Sequence, residues 1–167
     1  MALPRLTMRG LARGFMVSFA MCVIAGAAAR GADTDKDAVL AANARFYAAL
    51  NQVFAGELTL MQDVWSHASD VTYLGPTGNY EHGWGAVLKD WQGQAALKLG
   101  GKVEPAETQA VIEPTLAVLT GYEVGENTNA QGKVERVKLR ATNTFRKENG
   151  QWKMVSHQTD KLPYLAK

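Results

Sequence analysis

The chain has 167 residues, 47% of them hydrophobic and 20% charged, which is enough to form one domain with a core of its own. Its formal net charge is +2, and no basic patch follows the N-terminal segment, so the charge pattern argues against a nucleic-acid-binding protein. The single cysteine excludes an intramolecular disulfide.

The first 29 residues have the pattern of a secretory signal peptide. Basic residues precede an apolar run over 15–25, and Ala27 and Ala29 form an A-x-A cleavage site. The run is too short for a stable membrane span, although an uncleaved N-terminal anchor is the alternative. Cleavage after Ala29 would leave 15 basic and 16 acidic residues and would remove the cysteine. We therefore expect a protein exported to a bacterial periplasm or secreted, without membrane contact after cleavage.

A helical pattern follows a flexible polar lead-in at 30–36. Apolar residues recur at intervals of three and four from Val39 to Phe54, and Gly56 ends the pattern. The elements predicted downstream are, in order, a short helix over 58–65, a strand over 70–74, a helix after Gly83, and four longer strands over 102–112, 116–124, 133–146 and 151–160.

The last two strands are predicted to form a hairpin. They flank Asn149-Gly150, a pair that tolerates the positive φ angles of a tight primed turn. In the first strand Leu139 and Phe145 share one face, whereas Arg140 and Thr142 share the other. A hairpin of this length is not stable alone, so we expect further strands and a helical cover.

The order of these elements predicts one α+β domain over 37–162, followed by a tail over 163–167. The sheet would have one apolar face, and three helices are available to cover it. If the sheet curls around the helices, the space between them becomes a cone whose open end is a pocket.

Five segments resemble a known family in their order and spacing. They are Arg45-Phe-Tyr-Ala-Ala-Leu-Asn51, Val64-Trp-Ser-His-Ala-Ser-Asp70, Gly75-Pro-Thr-Gly78, His82-Gly-Trp84 and Gly150-Gln-Trp-Lys-Met-Val-Ser-His157. Together they span about residues 37–160 and resemble the SnoaL-like branch of the nuclear-transport-factor-2-like superfamily. The resemblance implies a cone-shaped barrel, in which three N-terminal helices pack on a strongly curved, mostly antiparallel sheet. It also implies a cavity and a homodimer formed through the sheet. The fold hosts enzymes, binding domains and assembly domains, so it does not specify a reaction.

Ketosteroid isomerases are similar to this chain in the first helix and at the strand-turn element. Their proton transfer needs a carboxylate base and donors that hold an enolate oxygen. Where that family has its base aspartate before a proline, this chain has Gly75 before Pro76. The helix donor tyrosine is replaced by Phe46, with Tyr47 adjacent, and the acidic donor on the penultimate strand corresponds to Asn143. The missing base argues against ketosteroid-type isomerase activity, and whether the chain is an enzyme stays open.

His157 is the best candidate for acid-base chemistry, because the reference pKa of histidine lies near neutrality. It shares a face of the last strand with Val155 and Thr159, and that face is expected to look into the cavity. The alternative is a hydrogen-bonded wall residue. His67 and His82 are expected to be exposed, and the three histidines lack close ligand spacing, so we expect no metal site and no cofactor.

Aromatic side chains are the candidate lining of the pocket for an apolar or aromatic ligand. The ligand-binding candidates are Tyr47, Trp65, Tyr73, Trp84 and Trp91, which can alternatively fill the core. Arg140 and Thr142 resemble an Arg-x-Thr pair found on this strand in SnoaL-like proteins. Arg140 could anchor a ligand carboxylate or pair with Glu123 on a neighbouring strand.

Three functions follow from these patterns. The first is binding of a small apolar or aromatic molecule, which the absent isomerase base favours. The second is a cyclase, dehydratase or isomerase that uses His157 as the acid-base, with Asn143 or Tyr47 as donor. The third is a dimeric structural or assembly domain that pairs through its exposed sheet face.

Overall fold

A computed structural model describes residues 23–129 and 131–160, so most of the expected signal segment and the tail at 163–167 lie outside the described residues. The elements are α1 (Val23–Ala55), α2 (Thr59–Val64), β1 (Thr72–Leu74), β2 (Tyr80–His82), α3 (Trp84–Leu97), β3 (Lys102–Ile112), β4 (Leu116–Thr128), β5 (Val134–Glu148) and β6 (Gln151–Asp160). The predicted α+β class with three helices is confirmed, and β2 is an addition to it. No helix in this part of the chain is long and apolar enough to cross a membrane.

The six strands form one sheet in the order β2-β1-β6-β5-β4-β3. All neighbours are antiparallel except β1 and β6, which run parallel. The predicted helices on a curved, mostly antiparallel sheet are confirmed. Within the described residues the end strands β2 and β3 do not pair, so the sheet is not closed into a barrel. Strands β1 and β2 have three residues each and offer too few backbone hydrogen bonds to close the curved sheet.

Helix α1 begins earlier than its apolar pattern indicates. The backbone at 30–36, expected to be a flexible lead-in, continues the helix without a break. A contact with the sheet accounts for this order, because Asp35 Oδ1 accepts a 2.5 Å hydrogen bond from Lys147 Nζ. The same ammonium group lies 5.5 Å from the centre of the Trp152 ring. Lys147 therefore links this turn of α1 to the hairpin of β5 and β6.

The core lies between the helices and the concave face of the sheet. The stripe of α1 that includes Val39, Phe46 and Val53 is fully buried, as the spacing of three and four predicts. It packs with Trp91 of α3 and Phe145 of β5 in one hydrophobic cluster. This layer arrangement aims one face of β4, β5 and β6 at the helices.

The hairpin turn has the predicted geometry. Asn149 and Gly150 have φ angles of 50° and 79°, as a primed two-residue turn requires. Pairing shifts register further along β6, where Ser156 pairs with Thr144 but Met154 pairs with Phe145. Val155 is therefore the extra residue of a β-bulge.

The bulge changes which residues of β6 point inward. Beyond it Trp152 and Met154 face the core, although simple alternation from His157 would direct them outward. Trp152 is consequently buried, rather than packed at a sheet edge as its position after the turn suggests.

Candidate active site

A cavity of about 360 Å³ lies between the helices and strands β4, β5 and β6. Its wall is mostly apolar and includes Leu50 and Phe54 of α1, Tyr73 of β1, Trp91 of α3 and Leu139 of β5. The lining also contains polar residues. The buried ones are Glu123, His157 and Thr159 on the sheet, and the others are Gln94, Asn127, Arg136 and Lys138. Apolar walls with a few convergent polar groups are typical of small-molecule sites.

His157 is held by a chain of buried amides. Its Nδ1 lies 2.6 Å from Asn143 Oδ1, and Asn143 Nδ2 donates a 2.7 Å hydrogen bond to Asn43 Oδ1. Tyr47 lies near Asn143, and the two residues line the same small space. Because the Asn143 oxygen accepts, His157 Nδ1 carries the proton and Nε2 carries the lone pair. Asn143, which was predicted as a donor, thus fixes the tautomer of His157.

The sheet places His157 between two further rings. Tyr73 on parallel strand β1 is in register with His157, and the two rings stack with centroids 5.8 Å apart. Phe46 of α1 approaches the imidazole from the helix side at 4.6 Å. This burial lowers the pKa of His157 to about 3, because the charged form would lose its hydration. His157 is therefore neutral near pH 7, and its Nε2 atom is a hydrogen-bond acceptor while Nδ1 donates to Asn143.

Glu123 is the site residue that the sequence reasoning did not place here. Strand β4 buries Ala117, Leu119 and Glu123 on one face, and the acid is directed into the cavity. Burial raises the pKa of Glu123 to about 7, because the carboxylate would be poorly solvated. The signal in the sequence is the alternation of inward and outward side chains along β4. It places Glu123, two residues after Gly121, on the inward face of the strand.

The suggested pairing of Glu123 with Arg140 is wrong. Glu123 is in register with Leu139, whereas Arg140 is opposite Tyr122, so the two side chains leave opposite faces of the sheet. Arg140 lies 3.8 Å from Asp160 instead, in an exposed ion pair.

Glu123 and His157 approach each other across a small residue. Ala141 of β5 pairs with Gly121 on one side and Thr159 on the other, which leaves room above the sheet. Glu123 Oε2 lies 4.0 Å from His157 Nε2. That separation is within ion-pair range but too long for a hydrogen bond. Because burial favours the neutral form of both groups, we describe them as a neutral acid facing a neutral base below pH 7.

A second polar network borders the cavity near α3. Gln94 Nε2 donates to the Tyr73 hydroxyl at 2.8 Å and to Asp90 Oδ2 at 2.6 Å, and Asn79 Nδ2 donates to Asp90 Oδ1 at 3.0 Å. Burial, together with the nearby acids, raises the pKa of Tyr73, so its hydroxyl stays protonated.

Gly75, which occupies the isomerase base position, is enclosed by this network. A Cβ atom there would lie 2.4 Å from Asn79 Oδ1 and 2.8 Å from the Tyr73 hydroxyl. The space that a catalytic aspartate would need is thus filled by the side chains of Asn79 and Tyr73.

The remaining ligand-binding candidates are tryptophans that pack among the helices and two residues on the outer face of the sheet. Trp65 and Trp91 are buried in the core cluster with ring centroids 6.3 Å apart, and only Trp91 of the two lines the described cavity. Trp84 packs beside Trp65 and stacks on His67 at 4.3 Å, away from the cavity. Thr142, like Arg140, lies on the outer sheet face, so the structure does not bring this pair to His157.

The described part of the chain offers no grouped metal ligands. Among residues 23–129 and 131–160, no three His, Cys, Asp or Glu side chains are grouped as a metal site would require. The buried polar groups that the sheet directs at the cavity are thus one acid, Glu123, one neutral imidazole, His157, and one hydroxyl, Thr159.

An α+β cone with a mostly apolar cavity and a few inward polar groups defines the class of protein. The family model of the SnoaL-like domain matches residues 39–160, and the chain belongs to this family. A comparison with curated protein sequences finds no match.

Solved structures show the same fold at low sequence identity. A provisionally assigned dehydratase of the NTF2-like family from Streptomyces avermitilis is 22% identical, with a TM-score of 0.70 over 80% of this chain and 99% of that one. A provisionally assigned aromatic ring hydroxylase from Novosphingobium aromaticivorans is 16% identical, with a TM-score of 0.65 over 77% and 90%. A provisionally assigned calcium/calmodulin-dependent protein kinase type II association domain from Thiobacillus denitrificans is 23% identical, with a TM-score of 0.62 over 73% and 93%.

Proposed function

We propose that this chain binds a small, largely apolar or aromatic molecule in the cavity and that Glu123 exchanges a proton with it. One observation carries the proposal. Glu123 is a buried carboxyl in the cavity wall whose pKa is raised to about 7 and whose Oε2 has no hydrogen-bond partner among the described residues. Strongly perturbed acids in clefts are typical of catalytic sites.

The pKa of Glu123 suits proton transfer in both directions. Near neutral pH both the carboxylate and the acid are populated, so the group can accept a proton from carbon and deliver one to oxygen. In a dehydration, the carboxylate removes a C–H proton, and the acid so formed protonates the departing hydroxyl, which leaves as water. No electron acceptor is needed for this step. His157, neutral at this pH, contributes its Nε2 lone pair as a hydrogen-bond acceptor.

This proposal replaces His157 by Glu123 as the proton carrier of the enzyme hypothesis. A dehydratase assignment among the structural neighbours is compatible with it, but identities below 25% carry only the fold. Binding without turnover is the second candidate function, and it is favoured by the apolar wall of the cavity and by the enclosed Gly75 position.

The test has two stages, of which the first is binding. The purified protein is melted with a panel of small aromatic and alicyclic compounds. A ligand at 100 times its dissociation constant stabilises the folded state by about 2.7 kcal/mol, which a melting curve resolves.

The second stage detects proton transfer. Each compound that binds is incubated with the protein in heavy water, and mass spectrometry follows deuterium entering C–H positions. Glu123→Gln should retain binding and lose the exchange, whereas Glu126→Gln, an exposed acid on the same strand, should keep both. Binding without exchange in the unaltered protein would instead establish the binding function.

We also propose, from the sequence pattern, that the protein is exported and forms a homodimer through the outer sheet face. The mass of the protein in solution tests the second of these, because a monomer at micromolar concentration would contradict it.

A further inference from the structure

We infer that the ligand of the cavity carries an uncharged hydroxyl group, which Thr159, His157 and Glu123 receive together. The inference rests on the proposed occupation of the cavity by a small molecule and adds the class of that molecule. It does not depend on proton transfer.

Two of the three groups are buried without a hydrogen-bond partner among the described residues. Thr159 Oγ1 and Glu123 Oε2 are both enclosed, in residues that are 2% and 5% exposed. Unsatisfied buried polar atoms are rare in folded proteins, and each one destabilises the fold. Two such atoms on one cavity wall indicate a partner that arrives with the ligand.

The third group determines which partner fits. His157 Nδ1 donates to Asn143, so its Nε2 is an acceptor, and the nearest acid oxygen is too distant to bond it. Nε2 therefore needs a donor, whereas the Thr159 hydroxyl and the protonated Glu123 carboxyl can each donate. A ligand hydroxyl matches this set, because it donates to Nε2 and accepts from Thr159 or Glu123. A ketone oxygen would leave Nε2 without a partner.

The charges around the cavity disfavour a ligand carboxylate. One acid, Glu123, lines the cavity, and a second, Asp90, lies behind Gln94 and accepts a hydrogen bond from it. Arg136 and Lys138 of β5 also line the cavity, but Lys138 Nζ is directed to the outer face of the sheet, where it lies 4.7 Å from the centre of the Tyr122 ring. Arg136, two residues earlier, is exposed and shares that strand face. A carboxylate bound beside Thr159 and His157 would thus face the acid Glu123, with the Lys138 ammonium group directed elsewhere.

Four probes that share a benzene ring test the inference, namely toluene, benzyl alcohol, acetophenone and benzoate. Dissociation constants are measured by titration calorimetry for the unaltered protein at pH 6, where most of Glu123 is protonated, a choice that follows from a pKa of about 7. One additional hydrogen bond typically contributes about 1 kcal/mol, so benzyl alcohol should bind roughly fivefold to tenfold more tightly than toluene. Acetophenone should lie between them, and benzoate should bind most weakly.

A matched pair of variants tests whether the preference for benzyl alcohol over toluene depends on the Thr159 hydroxyl. Thr159→Val removes the inward hydroxyl at nearly constant volume and should reduce the advantage of benzyl alcohol over toluene by about threefold or more. Thr142→Val makes the same change on the outer face and should leave all four constants unaltered. Because the Thr159 hydroxyl has no partner in the described structure, its loss should not impair folding.

The outcomes separate this inference from the proposed function. Equal binding of toluene and benzyl alcohol, or tightest binding of benzoate, would overturn the hydroxyl class while leaving an occupied cavity. Failure of all four probes to bind would overturn both. If deuterium exchange occurs but benzyl alcohol binds no more tightly than toluene, the proton transfer by Glu123 would be supported and the hydroxyl class of the ligand would be overturned. The comparison of the four probes needs no variant, so it stands even if Thr159→Val fails to fold.

Discussion

Glu123 Oε2 lies 4.0 Å from His157 Nε2, and burial shifts the pKa values of these two facing groups in opposite directions. The acid is harder to ionise and the base is harder to protonate, so a pair with the spacing of a salt bridge is neutral. A neutral acid beside a neutral acceptor leaves both groups available to a third molecule. This relationship is the basis of the proposed site, and it predicts that the stability of the protein depends on pH.

The first prediction concerns the free energy of unfolding as a function of pH. Folding raises the pKa of Glu123 from 4.5 to about 7, so its contribution to stability is full below pH 4.5 and is lost as the pH rises through 7. The loss is about 3 kcal/mol. Glu123→Gln should show no such loss, and the stability of the variant relative to the unaltered protein should therefore increase over this range.

Urea denaturation at several pH values measures this difference. His157 acts in the other direction, because its pKa falls from 6.5 to about 3 and its contribution is lost as the pH decreases. Both proteins contain His157, so its effect cancels in the comparison. A difference between the two proteins that stays constant from pH 4.5 to 7 would show that Glu123 is not buried as described.

The second prediction concerns the amide that orients His157. Asn143→Asp places a carboxylate next to Nδ1, and a nearby negative charge favours the protonated imidazole. The pKa of His157 should therefore rise above its value in the unaltered protein. Nitrogen NMR of the imidazole during a pH titration measures the change. Asn127→Asp, at the cavity rim, is the control, and an equal rise in both variants would contradict a direct contact.

The third prediction concerns Gly75. Gly75→Ala should destabilise the protein by about 1–3 kcal/mol, because its Cβ would overlap the Asn79 side chain and the Tyr73 hydroxyl. Gly75→Asp should be worse and should not create isomerase activity. Gly93→Ala is the matched control, since its Cβ meets nothing within 4 Å inside helix α3, where alanine stabilises by up to about 1 kcal/mol. Equal melting temperatures for the two alanine variants would refute this packing.

The fourth prediction concerns the attachment of the early part of α1. Asp35→Asn removes the ion pair with Lys147 and should lower the free energy of unfolding by up to about 1 kcal/mol, with a smaller effect at high salt. Asp37→Asn, an exposed neighbour, should have no effect. Chemical denaturation at two salt concentrations provides the measurement. The contact would be shown to be unimportant if both variants behaved alike.

Most of the fold could be predicted from periodicity, but strand register could not. The spacing of three and four in α1 and the Asn149-Gly150 turn depend on neighbouring residues, and both are visible in one sequence. The bulge at Val155 arises from pairing between two strands, and no local pattern marks it. The inward position of Trp152 follows from this bulge and is therefore not visible in the sequence.

The candidate site was recovered in part for a similar reason. His157 and Asn143 are polar residues within apolar alternation, so they were visible as exceptions. Glu123 is also a polar residue within apolar alternation. Its expected role was an ion pair with Arg140 on the next strand. Only the register, which places Leu139 rather than Arg140 opposite Glu123, shows that the acid faces inward. Its altered pKa is a property of that burial and has no counterpart in the sequence.

Asn43 never borders the cavity with His157, yet it decides what that cavity can recognise. By accepting from Asn143 Nδ2, it orients the Asn143 amide, and the amide in turn fixes the proton on the far nitrogen of the imidazole. An Asn43 side chain that donated instead would reverse the chain and present an N–H to the ligand. A helix residue remote from the ligand thus acts as the selector between hydrogen-bond donors and acceptors, and a change there would alter specificity without touching the binding surface.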